Sequence, residues 1–176
     1  MHDDADPRVR AAALGALARQ PEPPPAAWAR AIADPDPSVR RRAADVAPGF
    51  AQSAGEIANG LVALLGDGDV SVAEAAAWAL GELGDAAVAG GAVARLAELA
   101  RAHDDALVRE AAVAALGSLG DDGGREAVLA ACRDKPAIRR RAVLALAAFE
   151  GPDVDAALQA ALEDKDWQTR QAAEDL

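Results

Sequence analysis

The groups most able to do chemistry are few. His2 and His103 are the only histidines and Cys132 the only cysteine. Neither histidine stands at metal-ligand spacing from another His or Cys, as a zinc site would require; His103 is followed by Asp104 and Asp105. Cys132 falls on the apolar face of an expected helix, where a thiol serves as a small buried hydrophobe and not as a nucleophile. Gly90-Gly91 and Gly123-Gly124 lack the lysine and the flanking strand of a phosphate-cradling loop. The acidic loops Asp67-Gly68-Asp69 and Asp121-Asp122 hold part of a calcium ligand series. They lack the rest of it and the closing glutamate, so they read as turn and capping chemistry. No catalytic, cofactor-binding or metal residue is expected.

The chemistry that does recur is acid, branched residue, base. Six segments carry it: DPRVRAAALGAL, DPSVRRRAADVA, DVSVAEAAAWAL, DALVREAAVAAL, KPAIRRRAVLAL and DWQTRQAAEDL. The branched residues are Val9, Val39, Val72, Val108, Ile138 and Thr169, spaced roughly 30 to 36 residues apart, the period of a helical solenoid. An aspartate stands three residues before five of them (Asp6, Asp36, Asp69, Asp105, Asp166), with Lys135 the exception. The next residue is usually arginine: Arg10, Arg40, Arg109, Arg139 and Arg170, but Ala73 in the third copy. On a helix this arginine points roughly 100° from the branched residue. It is aimed at the neighbouring repeat and away from the solvent face.

These groups must be positioned by helices. The aspartate suits an N-cap, where its carboxylate accepts from free helix amides. Pro7, Pro37 and Pro136 suit a first helical turn, where the missing amide hydrogen costs nothing. Counting the branched residue as position 0, positions 0, +4, +7 and +8 form one apolar stripe of Val, Ala, Ala or Val, and Leu. Alanine at +4 lets helices approach closely. A second set of apolar stretches lies between these helices: PPPAAWARAIAD, Leu61 to Leu65, Val93 to Ala100, Ala127 to Cys132 and Ala156 to Leu162. Turn residues separate the two sets, and no stretch alternates with the period of a strand. Each repeat is therefore predicted to be an antiparallel helix pair whose second helix starts at the landmark.

The phrase resembles the HEAT repeat family, specifically the HEAT-like repeats named after phycobilisome lyases. The resemblance covers essentially the whole chain and rests on D-x-D-x-x-V-R-x-x-A-x-x-A-L-G, nearly complete at Asp67 to Gly81 and Asp104 to Gly117. The fifth copy departs from it, with Arg133 and Lys135 where acids are expected. The resemblance implies an all-α, right-handed α-solenoid of about five to six helical-hairpin repeats. In one domain, 1–176, these are a half-repeat 1–20 and repeats at about 21–50, 51–84, 85–120, 121–150 and 151–176. It also implies that the landmark arginines pair with turn aspartates of adjacent repeats. The chain opens directly on a second-type helix and stops inside another: either these half-repeats are the caps of the array, or, the reading preferred at the N-terminus, the chain is a segment of a longer one. Some hydroxylases of this fold hold a di-iron centre with His-Glu pairs, and this sequence contains none.

Charge bounds the partners. The net charge of −11 disfavours nucleic acid, which needs surplus positive charge. No apolar run approaches a membrane span, the N-terminus MHDDADPRVR has no signal-peptide core, and one cysteine suits the reducing cytoplasm.

Function is then expected where the copies differ. Positions +2 and +6 lie roughly opposite the buried stripe, on the concave face of such arrays. The +2 row reads Ala11, Arg41, Glu74, Glu110, Arg140, Gln171, and the +6 row Gly15, Asp45, Trp78, Ala114, Leu144, Asp175. Trp78 is expected mid-groove, beside Ala114 and Leu144, with Glu74 and Glu110 above and Arg41 and Arg140 flanking them. Arg41, Asp45, Glu74, Trp78, Glu110, Ala114, Arg140 and Leu144 are thus the candidate protein-binding residues, since an exposed tryptophan with a charged rim is hot-spot anatomy. Trp28, at an apolar position of a first-type helix, and Trp167, at a helix start, read as structural. The resulting expectation is a non-enzymatic scaffold that holds a protein or peptide segment, without cofactor. The alternative that the family's namesakes imply is a bilin lyase subunit or chromophore-handling factor, against which the scarcity of His, Tyr and Cys counts. A DNA-binding array of the alkylation-repair type would need a basic, aromatic-rich groove.

Overall fold

The structure, a computed structural model, describes residues 4–176, with residues 51 and 52 described by their backbone alone. His2 lies outside the described residues. Every regular element among them is helical. Two compact units divide at Ala92. The first contains α1 (Pro7–Leu17), α2 (Pro25–Ala31), α3 (Pro37–Val46), a 3₁₀ stretch (Ala47–Ser53), α4 (Ala54–Leu64), α5 (Val70–Leu83) and α6 (Asp85–Ala89). The second contains α7 (Ala92–Ala102), α8 (Ala106–Leu119), a 3₁₀ turn (Asp122–Gly124), α9 (Arg125–Ala131), α10 (Pro136–Leu146), α11 (Pro152–Ala161) and α12 (Trp167–Glu174). In the first unit α1, α3 and α5 pack in succession; in the second α8, α10 and α12 do so, with α9 and α11 against α10. The 3₁₀ stretch and the short α6 were not anticipated, because neither is long enough to show a period.

The repeated residues do what their chemistry requires. Asp6, Asp36, Asp69, Asp105 and Asp166 are N-caps, each accepting a backbone N–H of the first turn at 2.8–2.9 Å. Val39, Val72, Val108 and Ile138 are buried, as are the alanines four residues on, Ala43, Ala76, Ala112 and Ala142. Thr169 takes the branched position in the last copy and is also buried. Its hydroxyl donates to Asp166 Oδ2 at 2.9 Å, so the polar atom in an apolar slot is satisfied. The first copy differs. Val9 remains 37% exposed beside a hollow lined by Val9, Ala12, Ala13 and Ala16, because no described helix covers that side of α1.

The Asp–Arg ladder is present in both units. Arg10 holds Asp34, Arg40 holds Asp67, Arg109 holds Asp134 and Arg139 holds Asp164, each through Nε and Nη2 at 2.6–3.1 Å. The remaining guanidinium nitrogen, Nη1, donates to backbone carbonyls before its own helix, as Arg40 does to Asp34 and Pro35. Each arginine therefore ties its own turn to the next one by a fork that lysine could not reproduce. Arg170 makes the backbone contact alone among these, to the Asp164 carbonyl at 2.6 Å. Ala73 has no such side chain. The corresponding turn position in the fourth copy is His103, whose Nδ1 accepts the Asp105 amide as Asp34 and Asp67 accept theirs.

The irregular fifth copy has a simple cause. Its turn, Ala131 to Pro136, is one residue shorter than Ala31 to Pro37. Asp134 keeps the ladder position, and the cap position falls to Lys135, which makes no side-chain cap bond. The acid expected at 133 is thus found at 134.

Candidate protein-binding cleft

The second-type helices of the first unit leave a hollow of about 290 Å³ between α3 and α5. Its α3 wall is Arg41, Ala44 and Asp45, continued by Pro48 of the 3₁₀ stretch. Its α5 wall is Ser71, Glu74, Ala75, Trp78, Ala79 and Glu82. Those spacings of three and four put each wall on one helix face. Trp78 is 41% exposed, while Ala44, Ala75 and Ala79 beneath it are buried, so the indole stands on a floor of small residues. Glu74 and Glu82 lie one turn to either side of it.

The polar groups of this hollow differ from those of the ladder. Arg41, Asp45, Glu74 and Glu82 make no hydrogen bond or ion pair among the described residues. Ser71 is engaged, donating its hydroxyl to Asp69 Oδ1 at 2.6 Å. Ladder aspartates, by contrast, are held below the usual carboxylate range, chiefly by the hydrogen bonds from Arg10, Arg40, Arg109 and Arg139.

The second unit carries the other four sequence-predicted residues. Leu144 is 42% exposed. Glu110 lies 3.8 Å from the Arg141 guanidinium, and Arg140 donates to Gln168 Oε1 at 2.5 Å. Ala114, expected on the open face, is only 8% exposed and offers little surface. Pro48, Ser71 and Glu82 were missed. Glu82, at +10, continues the +2, +6 row by one further turn, so extending that row would have found it; Pro48, at +9, stands where the complete copies of the phrase have glycine.

Of the other reactive or aromatic groups, Cys132 caps α9 half-buried, its Sγ 3.6 Å from the Val128 carbonyl, and burial pushes its thiol up to about 11. At that value it is a poor nucleophile at neutral pH. Trp28 is a core residue whose Nε1 donates to the Ala43 carbonyl at 2.8 Å. Trp167, read above as structural, is instead 64% exposed at the start of α12. Asp67, Asp69 and Asp121, the acids of the calcium-like loops, are engaged in the ladder and in caps.

The profile of HEAT repeats matches this chain at residues 24–117 and 93–176. The chain belongs to the HEAT repeat family. Solved structures agree with that assignment. An engineered protein from a structural genomics consortium is 21% identical with a TM-score of 0.68, covering 98% of this chain and 90% of its own. A designed armadillo repeat protein in complex with the peptide (KR)4 is 18% identical with a TM-score of 0.64, covering 91% and 80%. Computationally designed armadillo repeat proteins for modular peptide recognition follow at 17% and 0.63, with the same coverage. At these identities the likeness is one of fold. No curated protein matches the sequence. Among the described residues, no helix of these HEAT repeats is long and apolar enough to cross a membrane.

Proposed function

We propose that this HEAT-repeat protein is a non-enzymatic scaffold of the cytoplasm that holds a protein or peptide segment against the α3/α5 face, with Trp78 as the anchor. The observation that carries this reading is Trp78 itself, exposed over a hollow with charged groups around it. A large aromatic side chain left at the surface beside a concavity is where interface free energy concentrates. The peptide complexes and peptide-recognition designs among the similar folds support the same use of stacked helices. Arg140, Leu144 and Glu110 give the second unit its own row at the same repeat positions, which we assign to contacts of the same kind.

The test is affinity capture from cells that express the protein, with wild type and Trp78→Ala side by side. Retained helix content and melting with loss of the captured partner is the expected result. A large loss of stability in the variant would place Trp78 in the core and end this reading.

A further inference from the structure

The cleft's charges specify what it takes. We propose that the α3/α5 cleft receives a lysine or arginine side chain from a positively charged segment of its partner; this rests on the binding role just assigned to Trp78. The cleft is lined by three carboxylates, Asp45, Glu74 and Glu82, and one cation, Arg41. None of the four has a counter-ion among the described residues; Asp45, Glu82 and Arg41 are exposed, but Glu74 is half-buried, and the half-buried ladder acids of this chain are all paired. The neighbouring cation, Arg42, does not offset them: its guanidinium lies against Gly15 of α1. Ser71 is bound to Asp69 and contributes no charge. The lining therefore carries an uncompensated excess of negative charge around an exposed indole.

An incoming lysine or arginine answers each part of that lining. Its alkyl stem packs on the buried alanines, and its cation lies over the Trp78 ring, whose face is negative. Glu74 and Glu82 bracket the ring at one turn either side, within reach of a cation seated there. The net charge of −11 adds long-range attraction for a basic segment, which salt weakens. An acidic segment would meet the same carboxylates as repulsion. A purely apolar one would leave them desolvated without a partner, at a cost.

The test uses the full chain and three short fluorescein-labelled peptides, alternating Lys-Ser, Glu-Ser and Leu-Ser, titrated by fluorescence anisotropy at low and at physiological salt. The Lys-Ser peptide is expected to bind, and more weakly as salt rises. Trp78→Ala and the triple variant Asp45→Asn, Glu74→Gln, Glu82→Gln should each weaken it by about tenfold or more. The control triple Glu22→Gln, Glu56→Gln, Glu163→Gln removes as many exposed charges away from the cleft and should leave binding within about twofold. Equal weakening in both triples would show mere attraction to an acidic surface and overturn the proposal. Preferential, Trp78-dependent binding of the Glu-Ser or Leu-Ser peptide would overturn the basic assignment yet keep the cleft as the binding site. Binding of Lys-Ser that is indifferent to Trp78, or no binding of any peptide, overturns the assignment; the capture experiment then judges the cleft independently.

Discussion

The α3/α5 face of the first unit and the α8/α10 face of the second are built on the same repeat positions, yet one is hollow and the other closed. The difference turns on position +9 of the preceding helix. In the second unit that residue is Gly117, and a Cβ placed there would lie 2.6 Å from Ala145 Cβ and 2.8 Å from its Cα. Only glycine permits so close an approach of α8 to α10. In the first unit the equivalent residue is Pro48, which lines the hollow together with Ala79, the counterpart of Ala145. A proline ring stands where the other unit has nothing, and the helix faces remain apart. Charges follow the same division. Where the helices close, Glu110 of α8 meets Arg141 of α10; where they stay open, Asp45, Glu74 and Glu82 line the gap. The two faces thus differ by a failure to close in one place.

The comparison can be broken at several points. The largest effect should come from Gly117→Val, which forces side chain into the α8/α10 contact and should cost about 3 kcal/mol in urea unfolding. The corresponding change at Pro48, to Gly, should cost far less and narrow the cleft. Next come the ladder rungs, common to both units. Asp67→Asn and Asp164→Asn each leave a half-buried guanidinium without its anion and should cost about 2 kcal/mol. Because the two sites share no partners, the double variant should show the sum. Lowering the pH acts on the same groups together. Ladder aspartates have folded values depressed below the unfolded value of about 3.9, so their contribution is complete above that pH. It should be lost as the pH falls through the lower folded values, seen as a drop in thermal midpoint below about pH 4. Raising the pH from 5 to 7 should leave this contribution unchanged. The smallest stability effect should belong to Glu74→Gln, within about 0.5 kcal/mol in urea unfolding, as expected for a side chain that makes no hydrogen bond or ion pair among the described residues.

What could be read from the sequence follows from how each residue acts. Caps, the apolar stripe and the ladder arginines were legible because they act locally or between neighbouring copies in fixed register, as Asp36, Val72 and Arg40 do. Trp78 and Glu74 were legible as departures from that register. Ala114 was not, since its burial depends on how tightly α8 is packed, which no repeat position states. Glu82 lies past the end of the shared phrase, Pro48 replaces the glycine that closes it in the complete copies, and Val9 has the landmark identity without the landmark environment. Trp167 shows the same limit: its place at a helix start was legible and its exposure was not.

The anchoring of the ladder acids has a further consequence. Asp34, Asp67, Asp134 and Asp164 each follow the last residue of the preceding first-type helix by three, and each donates its own amide to that residue's carbonyl. The acid is therefore registered to the helix behind it, and variation in turn length is taken up on the far side, as the shortened turn at Lys135 demonstrates. Tandem genes lengthen and shorten by unequal exchange, and most junctions of that kind ruin a packed interface. Here a crossover falling between the ladder acid and the next helix start sacrifices one cap and keeps the clasp. The turn is in this sense a forgiving seam, in which a lost residue removes one cap and leaves the clasp between repeats in place.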